Sequence, residues 1–559
     1  MTSNPLRTGN AVGLILTLVL IVGLIGLAAW LALRPKPAPA TTPGDQRTTV
    51  GERPKTDVAP LAPSPTAPSL DAPGTYAAKD GIIDIDISEY AGYAGLIVAN
   101  GGMDPNPESV FARQFGFKVR LTRSESENWS RVNSGQLAAG ATTTDVLAVL
   151  GRQYEVIVPA LISYSRGANM ILADTELTSI NQLLGKRIAC SQFNESDFFI
   201  RYLAHEAGIR VHTLASPDAA PPKDAISLVM YEDSEKAADA YEQELHGARR
   251  LHGCSGWSPR TDEVAGNSKG KARVLVSNRN ILIIADILAI NKGFAQANPG
   301  IVDGLVQGLL DGNARVRKDP AAHLPLIAKC LGWKESETHD KLKKVHFANL
   351  PESRAFFAGT IDAAGSFNGI YQAAVSAYGS AFIPNPADPD RLHEPRPLAA
   401  AAASGRFDTE RIVIEPIRAR GLARNALEGD PLLNKDIRFL FESNSAVLAK
   451  TPENDRNLDT ILRYLAVSPG SQVQLRGHVD NAQVPSFRKD GGEELVRKMA
   501  LQALDLSKRR AQAVKDAMCA RNTQCFPDRI ECIGRGWDEP AGADSDRNRR
   551  VEVRWFTLE

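Results

Sequence analysis

KRIACSQFNESDFFIRYLAHEAG, residues 186–208, holds a strand, a turn and a helix in one continuous run. KRIAC is a short, largely apolar stretch of strand length, and FFIRYLAHEAG (198–208) is a helix that Gly208 brings to an end. Between them Ser191-Gln192-Phe193-Asn194-Glu195-Ser196 closes the strand and opens the helix. A helix start presents unpaired N–H groups and the positive end of a dipole, which suits an anion. Ser191 and Asn194 are therefore candidate solute contacts, and each reads equally well as a plain helix cap. Glu195 and Asp197 beside them oppose an anion and keep a cationic or zwitterionic ligand open.

The same alternation continues on both sides. IIDIDI (82–87), DVLAVL (145–150), EVIVPALI (155–162), NMILA (169–173), AISLVMY (225–231), RVLVS (273–277) and ILIIADILAI (281–290) read as strands. PGIVDGLVQGLLDGNARVR (299–317) reads as a helix with Val302, Leu305, Val306, Leu309 and Leu310 on one face. Strands and helices alternating over residues 79–383 predict an α/β domain of mostly parallel sheets in two lobes. Such sheets take ligands at the carboxyl ends of their strands. Further solute candidates are Thr143 and Thr144, read as cleft wall or helix cap together with Asp145. Arg166 is a fork for a carboxylate, sulfonate or phosphate, or a solvated loop arginine. Tyr93 stands between Gly92 and Gly95, whose tight turn is expected to expose its ring.

Beyond this domain the composition changes. Residues 11–33, AVGLILTLVLIVGLIGLAAWLAL, carry no charge and are long enough to cross a hydrocarbon core of about 30 Å as a helix. Trp30 and the following Arg34 and Lys36 suit an interface. The competing reading, a signal peptide cut near Ala38-Pro39-Ala40, has too long an apolar core. Residues 1–34 are thus a membrane anchor, and 35–78 a Pro-rich linker able to reach on the order of 100 Å. Pro384, Pro386, Pro389, Pro395 and Pro397 precede an alanine run in a second linker, 384–430, expected to hinge, with RIVIEPI (411–417) as an added strand.

Lys+Arg and Asp+Glu are balanced at 65 each, which excludes the basic field that nucleic acid requires. At 559 residues the chain needs two or three cores. No nucleophile elbow, phosphate loop or HExxH pair is present, so a binding protein without catalysis, cofactor or metal is expected. Cys519, Cys525 and Cys532 lack a nearby histidine and make a poor metal site, although one pair could form a disulfide in an oxidising compartment.

In the middle domain, Tyr90-Ala91-Gly92-Tyr93-Ala94-Gly95-Leu96, Asn133-Ser134-Gly135-Gln136-Leu137, Thr142-Thr143-Thr144-Asp145-Val146, Ser165-Arg166-Gly167-Ala168, Leu184 to Cys190, Trp257-Ser258-Pro259 and Ala285-Asp286-Ile287-Leu288 follow one another in a familiar order. That order resembles the substrate-binding proteins of nitrate-, sulfonate- and taurine-type ABC importers. The resemblance implies a periplasmic-binding-protein-like domain holding a small-molecule solute for an ABC permease.

Residues 431–559 carry a second set of motifs: Phe441/Ser445/Leu448, Gly477-His478-Val479-Asp480, Leu506-Ser507 with Arg510-Ala511 and Val514, Gly534/Gly536, and Asn548 to Glu552. They resemble the α+β peptidoglycan-binding domain of the outer-membrane protein A (OmpA-like) family. By that resemblance Asp480 accepts from the ammonium of the diaminopimelate in the stem peptide, and Arg510 forks onto its carboxylate. Asn548 and Arg549 shape the loop beside them. The bland alternative is that Asp480 and Arg510 simply pair with each other. Val479 replaces the family's threonine, Ala503 replaces an asparagine, and the spacer from Asp480 to Ser507 is long enough for an extra helix. The whole implies a single-pass bacterial inner-membrane protein with its bulk in the periplasm. The runner-up function is an envelope scaffold or stator-like tether whose receptor-like domain binds a partner.

Overall fold

The computed structural model describes residues 58–124, 129–361, 364–414, 431–442, 445–468, 470–521, 527–543 and 545–557. The membrane anchor expected at 11–33 lies outside the described residues, as does the linker before Val58. Among the described residues no helix is long and apolar enough to cross a membrane.

From Ile82 the chain builds one lobe with β1 (Ile82–Ile87), α1 (Ala94–Asn100), β2 (Lys118–Arg123), β3 (Ala139–Thr143), α2 (Thr144–Leu150), β4 (Val156–Ile157) and β5 (Leu161–Ser165). It then crosses to a second lobe made from β6 (Asn169–Asp174), β7 (Arg187–Ser191), α3 (Glu195–Glu206), β8 (Arg210–Leu214), β9 (Ala225–Tyr231), β10 (Gly253–Trp257) and β11 (Ala272–Ser277). It returns through Ile281–Ile284 into β12 (Ala285–Asn291), followed by α4 (Pro299–Lys318) and β13 (Val345–Phe347). The first sheet runs β13-β5-β12-β3-β1-β2, with β4 on β12, and the second β11-β6-β10-β7-β9-β8.

The sheets are mixed, where mostly parallel ones were expected. β1 is parallel to β2 and β3, but β12 re-enters between β3 and β5 antiparallel to both. In the second lobe β6 lies antiparallel to β10 and β11. The double crossing is the physical reason: a strand arriving from the other lobe enters the sheet from the opposite end. DVLAVL is helical, not a strand, lying in α2. Every residue of α2 is buried, and a short apolar run enclosed on all sides has no periodicity to tell helix from strand. ILIIADILAI is likewise part crossing and part strand.

The stretch 58–78, which sequence assigns to a linker, is laid across both lobes. Leu61 N–H donates to Met230 O at 2.7 Å in the second lobe, and Gly74 N–H to Asn133 O at 2.9 Å in the first. The expected hinge after residue 383 is packed as far as it is described. α5 (Phe367–Phe382) leads to α6 (Arg396–Ala403), which rests on α4 and is clasped by Arg396 on Asp303. Of RIVIEPI, residues 411–414 are irregular, with Val413 N–H bonded to Glu352 Oε1 at 2.8 Å; its remainder lies outside the described residues.

The tail is α+β: β14 (Leu433–Ile437), α7 (Pro452–Val467), β15 (Gln472–Gly477), α8 (Val484–Arg521), β16 (Ile530–Gly534) and β17 (Val551–Phe556). Its sheet runs β14-β17-β15-β16, with Trp555 stacked on Tyr464 at 4.8 Å. Phe441 and Leu448 meet in an isolated antiparallel bridge. The helix expected in the spacer is present: after a break at Gly491-Gly492, α8 runs on through residues 493–506 into the stretch that carries Arg510. The tail is not a separate bead: its Leu433, Tyr464 and Trp555 belong to one buried apolar cluster with Ile180 and Leu203 of the second lobe.

Candidate functional site

In the tail, glycines decide how closely α8 can approach the sheet. A Cβ on Gly477 would lie 2.0 Å from Ser507 O, and one on Gly534 would lie 2.4 Å from Leu504 O. Ser507 then bridges the two, donating to Leu504 O at 2.8 Å and accepting from Gly536 N–H at 3.0 Å. This close contact fixes the loop after β15, where Asp480 sits. Asp480 Oδ1 accepts from Ala482 N–H at 3.2 Å, and Oδ2 accepts from the Ser545 hydroxyl. Arg549 Nη2 donates to Ser545 Oγ at 2.9 Å and stands 3.9 Å from Asp480 Oδ2.

Arg510 projects from α8. Its Nε donates to Ser445 O at 3.1 Å, and its guanidinium carbon lies 5.0 Å from the centre of the Phe441 ring. Phe441 and Ser445 are thus a platform for the arginine, and Asn454 holds that loop by bonding Leu440 O at 2.8 Å and Ala449 O at 2.7 Å. Burial, then the charge of Arg549, pulls the Arg510 guanidinium below its usual range. Among the described residues no ion pair joins Asp480 to Arg510. Asn548 shapes the adjacent loop, accepting from Ala541 N–H at 2.8 Å and donating to Gly542 O at 3.1 Å.

One carboxylate–histidine group in this domain has metal-like spacing: His478, Glu539 and Glu552 offer atoms within 4.8 Å of one another. Arg476 already bridges both carboxylates, at 2.7 Å to Glu539 and 3.0 Å to Glu552. Burial alone would raise the Glu552 carboxyl, but His478, Arg554 and Arg476 outweigh it and hold it at about 2. The guanidinium supplies the positive charge that an ion would bring.

Between the lobes the solute candidates fall into two groups. Thr143 ends β3 and lies opposite Asp286 of β12, whose other neighbour is Ser163 of β5. Ser163 donates to Asp286 Oδ2 at 2.7 Å and Tyr93 to Asp286 Oδ1 at 3.4 Å. Tyr93 is therefore buried rather than exposed. Its flanking glycines serve packing: a Cβ on Gly95 would meet Asn313 Oδ1 at 1.9 Å, and one on Gly92 would meet the Tyr90 ring. Thr144 Oγ1 donates to Ala285 O at 3.3 Å.

The second group stands at the start of α3. Asn194 Oδ1 accepts from Ser196 N–H at 3.0 Å and Asp197 N–H at 3.1 Å, the cap arrangement. Ser191 Oγ donates to Glu232 O at 3.4 Å. Arg166 lies at the crossing after β5, its backbone N–H bonded to Lys344 O at 2.8 Å. Asp286 was missed as a site residue. Its signal was a lone carboxylate in the apolar run ILIIADILAI, where a charge has no reason to be unless it is used.

The architecture is a bilobed α/β domain followed by an α+β tail. Residues 440–554 match the OmpA family model. Among solved structures, the alkanesulfonate-binding protein SsuA from Xanthomonas axonopodis pv. citri bound to MOPS is 16% identical, covering 57% of this chain and 100% of that one, with a TM-score of 0.42. A putative periplasmic sulfonate-binding SsuA from Methylobacillus flagellatus KT is 14% identical over 60% of this chain and 98% of that one, with a TM-score of 0.44. The desulfurization enzyme DSZB is 14% identical over 58% of this chain and 99% of that one, at a TM-score of 0.39. No curated protein matches the chain.

Proposed function

We propose that the protein is a non-enzymatic solute receptor of the bacterial periplasm, anchored in the inner membrane by residues 11–33 and gripping peptidoglycan through its tail. Asp480 accepts from the ammonium of the diaminopimelate in the stem peptide, and Arg510 receives its carboxylate, with Asn548 and Arg549 holding the loop. The middle domain captures a small solute between its lobes and presents it to an ABC permease. Tethering receptor and wall in one chain keeps the solute site at high local concentration beside the membrane.

One observation carries the wall-binding half: Arg510 is pinned from behind by the Phe441 ring and Ser445 O, while Asp480 is turned onto Ser545, so the two opposite charges are not spent on each other. A zwitterionic amino acid needs such an acceptor and such a planar donor together. Sedimentation of the detergent-purified full chain with murein sacculi tests it. Wild type is expected in the pellet, and Asp480→Ala and Arg510→Ala are each expected to stay largely in solution. Pelleting unchanged by both substitutions would overturn the reading.

A further inference from the structure

Resting on the receptor reading, we propose that the cleft between the lobes takes a small organic cation with an N–H ammonium group, seated on Asp286 and surrounded by Thr143, Ser163 and Asp145. This is the opposite charge from the carboxylate, sulfonate or phosphate that Arg166 suggested.

Directly paired residues of antiparallel strands project to the same face. The register Thr143–Asp286–Ser163 across β3, β12 and β5 therefore sets three polar side chains in a row at the carboxyl end of β3, where α/β sheets hold ligands. Ser163 and Tyr93 orient the Asp286 carboxyl by donating to its two oxygens at 2.7 Å and 3.4 Å. Independently, Thr143 Oγ1 and both oxygens of Asp145 lack a well-formed hydrogen bond, although these residues are only 3% and 0% exposed. Groups so deeply buried are ordinarily partnered. In its ionised form Asp145 can only accept, so a positively charged donor would complete it and favour that form.

The charge around the row points the same way. Glu195, at the start of α3 in the other lobe, acts electrostatically on both Asp286 and Tyr90. Among the described residues the buried Arg201 forms its ion pair with Asp197, at 2.6 Å through Nε, and none with Asp286 or Asp145. Burial drives the Asp286 carboxyl well above its ordinary range and lifts Asp145 to about 7. A cation brought by the ligand reverses that penalty. The rings of Tyr90 and Tyr93, 5.5 Å apart, add aromatic surface that favours an organic cation. A bare metal ion fits less well, because among the described residues only His478, Glu539 and Glu552 bring three ligand atoms within 4.8 Å.

Thermal-shift and calorimetric titration of the full chain decides the matter. The cation probes are putrescine, ethanolamine and methylguanidine; the anion probes are methanesulfonate, sulfate and acetate. At least one cation is expected to raise the melting temperature at millimolar concentration, and Asp286→Asn to weaken it at least tenfold. Should Asp286→Asn fail to fold, the wild-type panel with Thr143→Val still reads out the charge class. Binding of an anion probe alone overturns the cation proposal and leaves the receptor reading standing. Silence from all six probes overturns the proposal and counts against the receptor reading as well.

Discussion

Asp145 shows what a single carboxyl costs when it is buried with no cation beside it. Desolvation lifts it from 3.8 to about 7, against a smaller lowering by the adjacent Thr143. The folded protein thus keeps a proton that the unfolded chain releases between about pH 4 and pH 7, and stability falls as pH rises through that window. The loss is complete above about pH 7, where it amounts to roughly 4 kcal/mol at most. Asp145→Asn keeps the shape and removes the titration. Its melting temperature is therefore expected to exceed that of wild type by a margin that grows from about pH 5 to about pH 8. A margin independent of pH would show that the carboxyl is not perturbed. Residue-scale legibility in the sequence followed locality. Asp480 and Arg510 stood in compact motifs and could be named at once. Asp286 meets Tyr93 from 193 positions away, a pairing that no local pattern announces.

At the scale of elements, helices were legible where one face of each is exposed. The helix read at 299–317 is α4. Legibility failed at α2, enclosed on all sides. The contact between β15 and α8 is a sharper case, because the glycine motif reads as sequence but acts as a distance. Gly477→Ala places a methyl group 2.0 Å from the backbone oxygen of Ser507, which no side-chain rotation relieves. Helix and sheet must move apart, at a cost of roughly 2–3 kcal/mol. The expected outcome is a lower urea midpoint in fluorescence-monitored unfolding, with weaker pelleting on sacculi because the Asp480 loop shifts with the strand. An unchanged midpoint would mean that the approach is looser than it looks.

Over the whole molecule, the receptor lobes and the tail are joined by more than a linker, which sequence alone did not reveal because every contact involved is long-range. Ile180 N–H donates to Leu432 O at 2.8 Å, Leu282 N–H to Val467 O at 2.9 Å, and the Tyr464 hydroxyl to Glu206 O at 2.9 Å. Arg463 forks onto the buried Glu206 carboxylate at 2.9 Å and 3.1 Å. Glu206 ends α3, the helix whose other end carries Asn194 and Glu195 between the lobes. A single helix thus runs from the space between the lobes to the tail. Chains of several domains usually unfold in stages, but a shared core makes each part support the other. We therefore expect the described region to melt in one calorimetric transition. Arg463→Ala strands the Glu206 carboxylate without its cation; as Arg463 is partly exposed, the cost is about 2 kcal/mol, below that of a fully buried pair. Its effect should lower the melting of lobes and tail together. Two separate transitions in wild type, with only the tail responding to Arg463→Ala, would show that the lobes and the tail fold as independent bodies.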